Sequence, residues 1–262
     1  MSDYMTMALN ELAAEITADG VVDAEEVKKM KERLYADNVI DREEADFLFT
    51  INDAVSGANN DPSWKELFVE ALTTHVLKDE TSPDVLDDGE ASYLVEKIQG
   101  DKKVDANELA LLVNIAASAK STPENFQKFV LASLKDVILE DGVIDENEVA
   151  MIRKVVYGIG SGSGASVDRA EADFIFDLND ATTGKANHSS WKELFVEALS
   201  KHVLEDETSP GVIDESEGDW LISRVESDNE YDENEKALFV NIKTNAKSMT
   251  GKLKFKMDLF QI

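Results

Sequence analysis

A recurring pair of carboxylates is the feature of this sequence with the most obvious chemical potential. An aliphatic or aromatic residue is followed by Asp, two variable residues and Glu, and this pattern occurs eight times. The eight pairs are Asp23/Glu26, Asp41/Glu44, Asp87/Glu90, Asp105/Glu108, Asp145/Glu148, Asp168/Glu171, Asp214/Glu217 and Asp232/Glu235. Carboxylates at this spacing can hold the start of a helix or contribute oxygens to a cation site.

The helix-start explanation accounts for all eight pairs. The position three residues before the Asp is often Gly or Asn, as at Gly20, Asn38, Gly142, Gly211 and Asn229. These residues adopt the left-handed conformation that ends a helix. The Asp then caps the next helix, and the Glu closes a capping box. We expect the same arrangement before two Trp-containing helices, from Ser63/Glu66 and Ser190/Glu193.

Three of these corners also resemble the second half of an EF-hand calcium loop, with its turn residue at position six, aliphatic residue at eight and Glu at twelve. The candidate ligands are Asp79, Thr81, Asp87 and Glu90 in one loop, Asp206, Thr208, Asp214 and Glu217 in another, and Glu15, Asp19, Asp23 and Glu26 in a third. Pro83 and Pro210 occupy position five, where a ligand oxygen is expected, so any affinity should be weak. Calcium is the cofactor that this pattern suggests.

The net charge of −29 bears on the choice of partner. Such a field repels phosphate backbones and anionic lipids, so we expect neither nucleic acid nor a membrane surface as a partner. A divalent cation or a basic protein surface remains. The chain lacks Cys, which excludes disulfides and thiolate chemistry. No segment has the pattern of a signal peptide or a membrane span, and a cytoplasmic location is the expectation.

Histidine and the nucleophile motifs give no indication of catalysis. His75 and His202 lie at the edge of apolar helical stripes, and His188 is expected on the surface. Each of the first two could join a carboxylate four residues later, Asp79 or Asp206, but two ligands do not make a zinc site. No phosphate-binding loop or nucleophile elbow occurs. We therefore expect a protein that is not an enzyme.

An internal repeat organises the chain. The nine letters WKELFVEAL at Trp64–Leu72 return at Trp191–Leu199, 127 residues later, and DETSP at Asp79–Pro83 returns at Asp206–Pro210. Nearer the start the offset is 122, and the difference falls in the Gly/Ser-rich stretch Gly158–Ser166. The sequence therefore predicts a tandem duplication.

Helical spacing of apolar residues runs through both copies. It predicts an all-α fold of about 13 helices, with six helices of 12 to 16 residues in each copy and one shared between them. The predicted modules are residues 1–127 and 128–262, and the shared helix covers about 124–139, with Phe126–Leu139 uninterrupted. The three Trp residues are expected in the core.

The stretch Ala13–Glu26, AAEITADGVVDAEE, resembles the opening of TerB-like domains, and Leu134–Val149 is similar. That family includes the tellurite-resistance TerB proteins and the amino-terminal domain of a membrane-anchored DnaJ-type co-chaperone. The resemblance covers the first helices of each copy. It implies an acidic helical module, associated with metal, that acts in stress responses or protein assembly. The alternative is a structural or scaffolding protein with no dependence on a cation.

Overall fold

The computed structural model describes residues 4–78, 82–101, 103–158, 166–205, 209–227 and 231–260, and they form thirteen α-helices with one minimal pair of strands. The all-α prediction is therefore confirmed. The chain divides into two compact units, Met1–Val130 and Leu131–Ile262. Among the described residues, no helix is both long enough and apolar enough to cross a membrane.

The first unit contains six complete helices. They are α1 (Leu9–Ile16), α2 (Ala24–Leu34), α3 (Arg42–Val55), α4 (Pro62–Leu77), α5 (Asp88–Ile98) and α6 (Ala106–Ser118), and a 3-10 turn (Gln99–Asp101) follows α5. Helix α4 packs against α2, α3 and α6. Its Trp64, Phe68 and Leu72 have no exposed surface. The Phe68 ring meets Phe49 edge to face, with centroids 5.5 Å apart.

The second unit also contains six complete helices. They are α8 (Glu146–Val156), α9 (Arg169–Thr182), α10 (Ser189–Leu204), α11 (Glu215–Val225), α12 (Glu233–Asn245) and α13 (Gly251–Leu259). Helix α10 packs against α8, α9 and α12. Trp191, Phe195 and Leu199 are buried in its contact face. Phe195 meets Phe176 edge to face at 5.3 Å.

Helix α7 (Glu124–Ile138) contains the point at which the two units are divided. It is continuous through Ser133, as the apolar spacing predicts, and it ends one residue earlier than expected. Phe126, Val130, Leu134 and Ile138 are all fully buried.

The predicted helix lengths are wrong for six helices. Helices α2, α5, α8 and α11 have 11 residues, α1 has 8 and α13 has 9. An Asp–Glu corner follows each of these helices except α13. In those five cases, residues that lead into the corner and cap the next helix take up positions that apolar spacing alone assigns to the helix.

Each unit contains one short parallel β pairing between two backbone segments. In the second unit, β1 (Val212–Ile213) pairs with β2 (Ser248–Met249), and in the first a single bridge joins Val85 and Ser121. These positions differ by 127 in both partners. Such matched contacts agree with a duplication, whereas superposition of the two units stays a prediction.

Candidate functional site

All eight Asp–Glu corners form capping boxes. At Asp23 the carboxylate oxygen Oδ1 accepts a hydrogen bond from the Glu26 amide at 2.8 Å, and Glu26 Oε2 accepts one from the Asp23 amide at 2.9 Å. The same reciprocal pair is present at Asp41, Asp87, Asp105, Asp145, Asp168, Asp214 and Asp232. The prediction that these Asp residues cap helices is confirmed, and one oxygen of each carboxylate is committed to backbone.

The residues before each box have the predicted backbone conformation but do not end the helices. Gly20, Asn38, Gly142 and Gly211 have positive φ angles between 63° and 83°, whereas the preceding helices end earlier, at Ile16, Leu34, Ile138 and Leu204. Asn229 lies outside the described residues. The apolar residue directly before the Asp is buried at six corners, at Val22, Ile40, Leu86, Ile144, Val167 and Ile213. It anchors the corner to the core, as a hydrophobic staple does.

Two corners are more extensively bonded than the others. At Asp105, Oδ1 accepts hydrogen bonds from the Asn107 and Glu108 amides, while Oδ2 accepts from Asn52 Nδ2 at 2.8 Å and Ser56 Oγ at 2.9 Å. Four donors therefore surround this carboxylate.

The same arrangement occurs at Asp232 in the second unit. Its Oδ2 accepts from Asn179 Nδ2 at 2.7 Å and from Thr183 Oγ1 at 3.0 Å, and Oδ1 accepts from the Asn234 and Glu235 amides. Asn52 and Asn179, only 1% and 2% exposed, were not singled out by the sequence. A polar residue within an otherwise apolar stripe is the signal that could have revealed them.

Burial changes the proton affinity of several box glutamates. It raises the pKa of Glu26, against the lowering effect of the hydrogen bond from the Asp23 amide, and the charges of Asp23 and Asp19 raise it further. Burial raises the pKa of Glu171 to about 8, against the lowering effect of the hydrogen bond from the Asp168 amide. These glutamates act as structural acceptors in partly desolvated positions.

The structure describes part of the two DETSP loops. Asp79, Thr81, Asp206 and Thr208 lie outside the described residues. Asp87 with Glu90 and Asp214 with Glu217 form the capping boxes already given. Position six of each loop, Asp84 or Gly211, has a positive φ, of 63° and 82° respectively, so both loops make the sharp turn that a calcium loop requires.

The third candidate loop lies wholly within the described part of the chain. Asp19 Oδ1 accepts a hydrogen bond from the Val21 amide at 3.1 Å, and Asp23 and Glu26 bond each other's backbone. Thr17 donates its hydroxyl to the Ala13 carbonyl within α1. Among the residues that the structure describes, no three Asp, Glu or His side chains, Glu15 included, lie close enough together to hold a metal ion.

The predicted capping boxes before the two Trp helices are wrong. The N-cap of α4 is Asp61, whose Oδ1 accepts from the Ser63 amide at 3.0 Å, and Pro62 occupies the first turn. The N-cap of α10 is His188, whose Nδ1 accepts from the Ser190 amide at 3.4 Å. Both helices therefore begin two residues earlier than the Ser63/Glu66 and Ser190/Glu193 pairs require.

The two repeated histidines support the core. His75 Nδ1 lies 2.7 Å from the Ile40 carbonyl, and His202 Nδ1 lies 2.7 Å from the Val167 carbonyl. Each ring packs edge to face on an aromatic residue, Tyr93 or Trp220. Burial lowers the pKa of His202. These contacts give each histidine a structural role in the core of its own unit.

The three Trp residues are buried, as expected. Trp64 and Trp191 are 0% and 1% exposed, and Trp220 is 7% exposed with its indole N–H bonded to Asp173 at 2.8 Å. They belong to the core of their units.

Comparisons of this chain with models of known protein families, with curated proteins and with solved structures find no match in any of the three. The TerB-like resemblance therefore stays a prediction.

Proposed function

We propose that this protein is a non-enzymatic, acidic helical binding module whose partner is a basic protein surface. The observation that carries this proposal is the fixed presentation of negative charge at five exposed corners. Each has a capping Asp, a box Glu and a third acid in the first helical turn. The third acids are Glu25, Glu43, Asp88, Glu146 and Glu215.

The capping boxes hold the capping Asp and the box Glu of each corner in place. Asp23 and Glu26 are held by reciprocal backbone bonds, and Glu25 lies between them in sequence and is exposed. Charges that are already ordered lose little conformational freedom when a partner's Lys or Arg side chains meet them. The surrounding field of a chain with net charge −29 would accelerate the encounter with such a partner.

Titration with a folded basic protein, cytochrome c, tests this proposal. Five single variants neutralise the exposed third acids: Glu25→Gln, Glu43→Gln, Asp88→Asn, Glu146→Gln and Glu215→Gln. Glu66→Gln and Glu96→Gln are matched controls, because both residues are exposed acids outside the boxes. At physiological salt we expect saturable binding that at least one corner variant weakens several-fold more than either control. Equal effects from all seven variants would show attraction to net charge alone and would contradict the proposal.

Weak calcium binding at the DETSP loops is the second candidate. The sharp turns at Asp84 and Gly211 favour it, since they stand where a calcium loop turns. Calorimetry with calcium would compare Glu90→Gln/Glu217→Gln with the control Glu66→Gln/Glu193→Gln. Gln still closes a capping box, so the fold is retained. Saturable binding lost only in the first pair supports a site. An equal response leaves the corners as helix caps and favours scaffolding without calcium.

The TerB-like resemblance bears on the biological setting of both candidates. We carry forward its implication, a role in stress responses or protein assembly, as part of the proposal. A helix-for-helix superposition of an experimental structure on a TerB-like domain would test that assignment directly.

A further inference from the structure

A polar groove in the second unit lies at a position that a side chain fills in the first unit. It lies where the C-terminal halves of α10 and α12 approach the turn before β1, with a volume of about 560 Å³. The residues that matter are Ser200, Lys201, Glu205, Gly211, Asn241 and Lys247. A groove of this size accommodates a small molecule.

The first unit shows what occupies this position when the groove is closed. Asp84 follows the DETSP letters of the first copy, and its carboxylate bridges Lys78 Nζ at 2.7 Å and Lys120 Nζ at 2.9 Å. Hydrogen bonds and charge from these two lysines lower the pKa of Asp84 to about 2. A carboxylate held between two ammonium groups therefore fills the position in this unit.

The second copy lacks that carboxylate but keeps the backbone around it. Gly211 follows the second DETSP, and its amide bonds the Leu204 carbonyl at 2.8 Å, as the Asp84 amide bonds Leu77 at 2.9 Å. The Gly211 carbonyl accepts from the Lys247 amide at 2.7 Å, as the Asp84 carbonyl accepts from Lys120. The side chains differ at two positions, because Gly211 has no carboxylate and Glu205 stands where the first copy has Lys78.

Lys247 is left without the ion pair that Lys120 makes. Its Nζ donates to the Pro210 carbonyl at 2.9 Å, and within the described ranges no carboxylate lies at ion-pair distance from it. The other charges of the groove are paired, since Lys201 lies 3.5 Å from Glu205 and Glu197 is held by Arg153. Lys247 is therefore the cation able to receive an incoming anion.

A second interaction is also missing from the groove. In the first unit, Asn114 Nδ2 donates to Thr73 Oγ1 at 2.9 Å. Their counterparts, Asn241 and Ser200, make no such bond, and the Ser200 hydroxyl has no hydrogen-bond partner among the described residues although Ser200 is only 9% exposed. A buried hydroxyl without a partner is destabilising, and a hydrogen bond from a bound polar group would satisfy it.

We propose that this groove binds a small carboxylic acid, whose carboxylate takes the place that Asp84 fills in the first unit. Lys247 Nζ leaves the Pro210 carbonyl to pair with the carboxylate, and the Asn241 amide and Ser200 hydroxyl supply further hydrogen bonds. The remaining volume, bordered by Lys201 and Glu205, accepts other polar groups of the ligand. The negative net charge opposes an incoming anion, so the expected dissociation constant is about 1 mM or weaker.

Two-dimensional NMR of the full chain can test the site with acetate as the probe and acetamide as its neutral isostere. We expect acetate, up to about 10 mM, to shift the Gly211 and Lys247 backbone amides and the Asn241 side-chain amide along saturable curves. Acetamide should not. A short peptide with a free C-terminus, compared with its amidated form, then distinguishes a terminal carboxylate from a free acid as the natural source.

The repeat supplies an intramolecular competitor as the decisive variant. Gly211→Asp installs the carboxylate of the first unit, and Asp84 shows that Asp tolerates the positive φ at this position. A Cβ there would meet Lys247 side-chain carbons at 3.1 to 3.3 Å, and those atoms can move. We expect Gly211→Asp and Lys247→Met each to weaken acetate binding at least tenfold, while Lys192→Met, an exposed lysine of α10, leaves it unchanged.

The reverse variant, Asp84→Gly, should open a second acetate site at Lys78 and Lys120. If acetate shifts the same amide signals in Gly211→Asp and Lys247→Met as strongly as in the wild type, the proposal is overturned. The absence of saturable shifts in the wild-type chain would overturn it as well.

Discussion

The four-donor corner at Asp105 should stabilise the first unit far more than an ordinary capping box. Asp23 is the comparison, because among the described residues its carboxylate accepts a single hydrogen bond, from the Glu26 amide. Asp105 accepts the equivalent bond and three others, from the Asn107 amide, Asn52 Nδ2 and Ser56 Oγ. Replacing each Asp by Ala therefore removes different amounts of bonding from otherwise similar helix starts.

The magnitudes follow from these contacts. Loss of a cap costs about 1 kcal/mol, which is the whole expected effect of Asp23→Ala. Asp105→Ala also strands the amide of Asn52, which is 1% exposed, and an unsatisfied buried donor costs about 1–3 kcal/mol. The expected loss for Asp105→Ala is thus about 2–4 kcal/mol. The loss of stability for Asp105→Asn should lie between those for Asp23→Ala and Asp105→Ala. Asn keeps the oxygen that caps the helix but turns an N–H group toward Asn52 Nδ2.

Urea unfolding followed by circular dichroism measures these differences as shifts in the transition midpoint. A double-mutant cycle of Asp105→Ala with Asn52→Ala should give a coupling energy of about 0.5–3 kcal/mol, because the two side chains bond directly. If Asp105→Ala and Asp23→Ala cost the same within about 0.5 kcal/mol, or if the cycle shows no coupling, the reasoning from hydrogen-bond number is refuted.

Three further predictions use differences between the copies. His188→Asp should stabilise the chain by about 0.5–1 kcal/mol, because Asp is a better N-cap and its negative charge interacts favourably with the helix dipole. Asp61→His should destabilise the chain for the same reasons, and thermal melting of both variants tests this prediction. Glu171 has a pKa of about 8 in the folded state against an ordinary value of 4.5, so the folded state binds a proton more tightly and stability falls as the pH rises between these values. In thermal melts across this pH range, Glu171→Gln should reduce the dependence of stability on pH more than the control Glu44→Gln does. An unchanged dependence of stability on pH would contradict this prediction. Trp64→Ala and Trp191→Ala should each cost about 3–5 kcal/mol because both rings are buried, whereas Phe255→Ala on the exposed face of α13 should stay within about 0.5 kcal/mol in the same urea assay.

The starts of α4 and α10 show where local patterns were insufficient. In the first copy, Asp61-Pro62 does carry a signal, because Pro favours the first helical turn and Asp the position before it. The second copy has His188-Ser189 there, which carries no comparable signal. A tertiary hydrogen bond sets both positions, since the Asp61 amide donates to Val22 at 2.8 Å and the His188 amide to Ile144 at 2.7 Å.

The groove between α10 and α12 is a second feature that local sequence patterns could not predict. The exchange of Asp84 for Gly211 after five identical letters is visible in the sequence, but its meaning is not. Only the structure shows that Asp84 bridges Lys78 and Lys120, residues 42 positions apart whose ammonium groups meet at one carboxylate. The missing contact between Ser200 and Asn241 likewise depends on how α10 and α12 pack.

The sequence by itself determined the helical class, the internal repeat and the eight capping corners, because helix periodicity and capping depend on residues within a few positions of one another. The tertiary structure decided which carboxylates remain available. Asp23 and Asp105 have the same local motif, yet Asp105 also accepts bonds from Asn52 and Ser56, some fifty residues earlier in the chain. Chain folding brings those donors to the corner, and no local spacing encodes that approach.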